Sequence, residues 1–257
     1  MHIYDATRFA PPRPGARMQP DATVADYRLF QRRIGTSRTV VVTPAAYYTD
    51  NAVILDAVAQ IGPQARGVAV VHPSVTDPEL KRLARGGICG IRFTRFDPKT
   101  AATTIDMIEP LARRVEPLGW HVQVHLRADQ IVAAADLLQR LPGAVVFDHL
   151  GRLQSGVNDP AFAVIQRMLD GGRTWMKLSG AYMFGAGPEY SEASPVARAY
   201  IAAAPERVVW GSDWPHPTEA EKPDDAVLFD LLRDWAPDEK TQQRILVENP
   251  AKLYGFD

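Results

Sequence analysis

The chain has 257 residues, 46% hydrophobic and 23% charged, enough for a large core and close to the length of about 250 residues that one α/β barrel commonly uses. A net charge of −1 gives no global field for nucleic acid or a membrane surface, and the one cysteine, Cys89, leaves no disulfide framework. No apolar run is long enough to span a bilayer and no leader pattern opens the chain, so the expectation is a soluble, cytoplasmic protein.

In chain order, "HIY" at 2–4 is a candidate first strand, followed by the proline-rich loop "APPRPGARMQPDA" at 10–22, placed to fold over a mouth. Apolar, β-branched runs then recur as "RTVVVTP" (38–44), "ARGVAVVHP" (65–73), "ICGIRFT" (88–94) and "WHVQVHL" (120–126). "GAVVFDHL" (143–150), "RTWMKLSG" (173–180) and "RVVWGSD" (207–213) complete the set. Between them lie segments of helical period, including "AVILDAVAQI" (52–61), "PELKRLAR" (78–85) and "QIVAAADLLQRL" (130–141). Asp77 before Pro78 and Asp159 before Pro160 read as capping residues ahead of a first-turn proline. Strands apolar on both faces, each followed by a helix, predict a parallel sheet. Eight strands make a single-domain (β/α)8 TIM barrel the first choice; a doubly wound sheet is the rival, but no G-x-G-x-x-G follows a strand.

In such a barrel, chemistry sits where strands end. The polar residues there are His2, Tyr47, Tyr48, His72 and Arg92 from the first half, and His125, His149, Arg152, Tyr182 and Asp213 from the second. Imidazoles converging with one carboxylate can bind a metal and activate water, or work as acid and base without one. His121 shares a face with His125 but lies about 13 Å lower at about 3.3 Å per residue, so it reads as structural. His72, before Pro73, also reads as structural.

"HLGR" after the sixth strand, "KLSGAY" at the seventh, "WGSDWPHP" at the eighth and "ENPAKLYGF" at the C-terminus together resemble the amidohydrolase superfamily. The similarity is to its branch of lactone-acting enzymes: 2-pyrone-4,6-dicarboxylate lactonase, sugar-acid lactonases and galactarolactone isomerase. It runs along nearly the whole chain. It implies that Asp213 activates water for attack on a carbonyl, with the prolines and Trp214 holding its loop. The bland alternative is that Asp213 caps a turn.

The family begins with Asp-x-His-x-His on strand one, whereas this chain reads "MHIYD", so His2 matches the second histidine alone. The expectation is a start placed too late and a truncated first strand. In metal-binding relatives the strand-one histidines, a strand-five histidine and the strand-eight aspartate hold a divalent ion. Here His2, His125 and Asp213 match, which implies either no metal or one mononuclear ion, zinc first. Arg92 stands where a carboxylated lysine would serve a binuclear site.

The resemblance assigns Asp213, His149 and His2 to catalysis, and Arg92 and Arg152 to a substrate carboxylate. Arg127, Tyr47 and Tyr182 are further substrate-binding candidates. Tyr182 and Met183 replace an arginine of the pyrone lactonase, which opens a monocarboxylate or sugar-acid lactone as a substrate beside the pyrone dicarboxylate. The expected function is hydrolysis of a small acidic lactone, without nucleic acid or membrane partners. Isomerisation or decarboxylation on the same barrel, or a non-catalytic barrel that binds an acidic metabolite, are the alternatives. Sequence leaves the oligomeric state open.

Overall fold

The computed structural model describes residues 1–13, 15–20, 22–94, 101–185 and 190–256; the proline-rich loop therefore has residues 14 and 21 outside the described set. Seven parallel strands pair in chain order: β1 (Thr39–Val42), β2 (Ala65–Ala69), β3 (Ile88–Thr94), β4 (His121–His125), β5 (Val145–Phe147), β6 (Thr174–Leu178) and β7 (Val208–Trp210). Each falls inside a run expected to be a strand. The order and direction are those of repeated strand–helix units, with helices covering the outer face of a curled sheet.

The helices follow from local chemistry. The first, α1 (Val24–Ile34), starts in a capping box between Thr23 and Asp26. In α2 (Ala52–Ile61) the buried positions Val53, Ile54, Ala57 and Val58 repeat at helical spacing. Thr76, rather than Asp77, caps α3 (Asp77–Arg85), because its hydroxyl accepts from the Glu79 N–H and Asp77 already lies in the first turn. The segment expected as one helix at 130–141 is two, Ala128–Ala133 and Ala135–Arg140, joined at Ala134. Asp159 does cap the helix Pro160–Asp170, accepting from the Ala161 N–H.

The eighth strand expected at 2–4 does not form. Tyr4 makes an isolated antiparallel bridge to Ala22. Only the first two residues lie between the sheet edges: the Met1 carbonyl accepts from the Val42 N–H, and the His2 N–H donates to the Trp214 carbonyl. That is too short a run for a ladder, so the sheet is seven-stranded where eight strands were expected.

His121 sits low inside the sheet, 2% exposed, edge-on to Tyr254 with ring centroids 5.4 Å apart. Gly90 makes this possible, since a Cβ there would stand 2.3 Å from the His121 ring. Burial pushes His121 down to about 3, so it is a neutral core residue, as its position on the strand implied. Among the described residues no helix is long and apolar enough to cross a membrane.

Candidate active site

The C-terminal ends of the strands carry a cluster of strained residues. His149, Arg152, Asp213 and His216 all have left-handed backbone, with φ of 51°, 52°, 59° and 55°. Non-glycine residues adopt this conformation at a cost of about 1–3 kcal/mol each, and such outliers gather where side chains must be aimed. Here they turn the chain sharply after β5 and β7, so that His149 and Asp213 line, with His2, Arg92, Lys177 and Ser179, one end of a cavity of about 750 Å³ that continues past Trp210 and Phe229 to Thr36 and Phe256.

Asp213 is 8% exposed and its two carboxylate oxygens have separate surroundings. The Tyr182 hydroxyl donates to Oδ2 at 2.7 Å. Oδ1 faces His2 Nε2 at 3.4 Å and His149 Nε2 at 3.9 Å. His2 Nδ1 lies 2.9 Å from the Val42 carbonyl, which only accepts, so Nδ1 carries the proton and Nε2 turns its lone pair toward Asp213. His149 Nδ1 lies 3.0 Å from Ser179 Oγ. A proton on its Nε2, facing the carboxylate, with Nδ1 accepting from the serine, is the tautomer that satisfies both ends.

Burial pushes His149 down to about 4, against the opposing fields of Asp213 and Asp148. Burial lowers His2 as well, outweighing the attraction of the nearby Asp213 carboxylate. For Asp213, burial alone would raise the pKa, but His149, His2 and Tyr182 outweigh it and hold the carboxyl well below its usual range. At neutral pH the centre is therefore one carboxylate among neutral imidazoles. The His149 shift sets a sign for acid stability. Its folded value of about 4 lies below the unfolded value of about 6.5, so its contribution is full above that pH and is lost as pH falls toward 4. Thermal melts are expected to show a plateau above about pH 6.5 and a decline below it that His149→Asn makes shallower; an equal decline in both proteins would refute this.

The other candidates are distributed unevenly. Arg92 reaches the cavity, but its Nε donates to Asp148 Oδ2 at 2.9 Å and its Nη2 lies 3.2 Å from His125 Nδ1. Asp148 also accepts from Gln123 Nε2 at 3.0 Å and pairs with Lys177 Nζ at 2.7 Å. Sequence reading missed Asp148, Gln123 and Lys177, although "FDHLGR" and "KLSGAY" displayed two of them. Arg152 is half-buried; burial lowers its pKa while Tyr182 and Asp213 act in the other direction. Tyr182 meets Asp213 itself, so its hydroxyl is engaged with the carboxylate. Tyr47 is 1% exposed and its hydroxyl accepts from the Asp5 N–H. Arg127 caps a helix and forks onto Asp129 outside the cavity. His72 bonds Ser74 at the surface.

The three-ligand set expected of His2, His125 and Asp213 is not assembled. His125 packs edge-on against His149, centroids 4.8 Å apart, with the Arg92 guanidinium beside it. Among the described residues no group of three or more His, Cys, Asp or Glu side chains is arranged to hold a metal ion. His2 Nε2 and Asp213 Oδ1 are the two donors that face each other. A catalytic zinc usually takes three protein ligands, so the residues present do not fit one.

Residues 1–256 match the model of the amidohydrolase family. The 2-pyrone-4,6-dicarboxylate hydrolase of Comamonas testosteroni is 34% identical, over 98% of this chain and 88% of that protein. The 4-sulfomuconolactone hydrolase of Hydrogenophaga intermedia is also 34% identical, over 92% of this chain and 80% of that protein. Among solved structures, a probable 2-pyrone-4,6-dicarboxylic acid hydrolase of Acinetobacter baumannii with citric acid bound superposes with a TM-score of 0.84 at 30% identity, covering 99% of this chain and 97% of the other.

Proposed function

Because the chain belongs to the amidohydrolase family, we propose that it hydrolyses the lactone ring of a small acidic substrate, with Asp213 as the base. The observation that carries this is the pair of acceptors, Asp213 Oδ1 and His2 Nε2, facing each other at 3.4 Å. A water seated against both donates one hydrogen to each and turns a lone pair toward the cavity. Asp213 then takes a proton as the water oxygen bonds to the lactone carbonyl carbon. His149 Nε2–H donates to the carbonyl oxygen as negative charge develops there. Collapse breaks the ring carbon–oxygen bond, and the proton held by Asp213 passes to the departing ring oxygen. The products are a hydroxyl and a carboxylic acid on one chain, and the acid releases the second water proton to solvent to become a carboxylate, with no other reactant consumed.

Tyr182 holds Oδ2, which leaves Oδ1 as the basic atom. We infer that the sheet curls into a barrel, with Met1 and His2 bridging the β1 edge and the loop after β7. Were a divalent ion, zinc first, required, His2 and Asp213 would be its protein donors and it would supply activation of the water, although two donors fall short of the three usual for a catalytic zinc.

A panel of acidic lactones, assayed by proton release with and without chelator, tests the reading. Ring opening that survives the chelator is expected. Failure to open any pyrone, muconolactone-type or sugar-acid lactone would contradict the proposed function, and loss of activity with chelator would replace the metal-free route by the metal-assisted one.

A further inference from the structure

Beneath the catalytic groups lies a buried ion cluster in which one carboxylate, Asp148, is shared by two cations. Asp148, 2% exposed, is held by Arg92 at 2.9 Å and Lys177 at 2.7 Å, with Gln123 as a neutral donor. Two cations meet one carboxylate. The Lys177 side chain is 13% exposed and its one ionic partner among the described residues is Asp148. An ammonium has three N–H donors, so donor capacity remains toward the cavity that Lys177 lines. With the Asp213 carboxylate of the same cavity counted, two cations meet two carboxylates, so what a substrate carboxylate gains there is the ammonium's unused N–H donors.

The sequence has made room for this lysine. A Cβ at Gly211 would stand 3.1 Å from Lys177 Cδ and 3.2 Å from Cγ, so the glycine of "WGSD" admits the lysine stem. Position matters as well. The chain turns between Lys177 and Ser179, where the Ser179 N–H donates to the Lys177 carbonyl at 3.0 Å, and both side chains stand against Gly211. Ser179 Oγ is 3.0 Å from His149 Nδ1, so the ammonium lies one layer below the histidine that faces Asp213.

We propose that Lys177 is the anchor for the substrate's carboxylate, with the Arg92–Asp148 pair as its support, so that the lactone carbonyl is held above it between His149 and Asp213. This deepens, and rests on, the lactonase reading. It moves the principal anion contact from Arg92, whose guanidinium is engaged by Asp148, to a residue not expected to bind substrate. It also selects a ring bearing one carboxylate directed down into the barrel.

Lys177→Met leaves Arg92 and Asp148 balanced one against one, so the variant is expected to fold and melt within a few degrees of the parent. Two readouts test the anchor. The ratio of kcat/KM for muconolactone to that for its neutral methyl ester is expected to fall about 10- to 100-fold, the range of one charge-assisted hydrogen bond. Citrate affinity, measured by calorimetry, is expected to fall in parallel, and Lys177→Arg to restore most of both. Should Lys177→Met not fold, Lys177→Gln is read in the same way. An unchanged ratio and unchanged citrate affinity would overturn the proposal and leave Lys177 as a strut for Asp148. If the parent protein opens no lactone, the lactonase reading fails, and the citrate measurement alone still decides whether Lys177 binds a carboxylate.

Discussion

Asp213→Asn is expected to lower turnover at least about 100-fold, the low end of what a positioned base contributes, with little change in melting temperature. The amide keeps the size of the side chain. Its oxygen can still accept from Tyr182, and its NH2 can donate to the His2 Nε2 lone pair that now faces Oδ1. Asparagine also tolerates the left-handed backbone at this position, where φ is 59°. The variant therefore loses basicity and little else. Steady-state kinetics on the substrate found by the lactone panel, alongside a thermal melt, check it. Near-parental turnover in a folded variant would leave Asp213 as a turn residue.

His149→Asn is expected to lower kcat by about 100-fold or more, the effect of losing one donor to a developing oxyanion, while KM changes little. The histidine adopts a φ of 51°, which asparagine also accepts, so the loop is retained. The shorter side chain cannot reach both Ser179 and the cavity. A rise in KM at constant kcat would instead make His149 a ground-state binding group.

The strand–helix order was legible because buried parallel strands read as short apolar runs, and each of the seven runs contains its strand. Asp213 and His149 were legible because their motifs stand directly after such runs. Other features depend on which loops meet in space. Nothing near Tyr182 in sequence announces that its hydroxyl reaches Asp213, 31 residues later. Arg92 looked like a free substrate clamp because its partner, Asp148, comes 56 residues on. A closer use of the period of two would have helped, since His121, Gln123 and His125 share one face of β4 and a polar residue between two inward histidines predicts a polar barrel interior. The short first segment also misled, because it offered an apolar tripeptide but too few residues to bond along both sheet edges. The left-handed backbone at Asp213 and His149 has no sequence signal, since neither is a glycine.

The central claim is that water bonds to the lactone carbonyl carbon with Asp213 as base. Ring opening in oxygen-18-enriched water, followed by mass spectrometry of the product, tests it most directly. One heavy oxygen is expected in the new carboxylate and none in the new hydroxyl, with the rate of incorporation falling in Asp213→Asn as turnover falls. Substrate consumption without label, which denotes isomerisation, or label in the hydroxyl, which denotes attack at the alkyl carbon, would contradict the account.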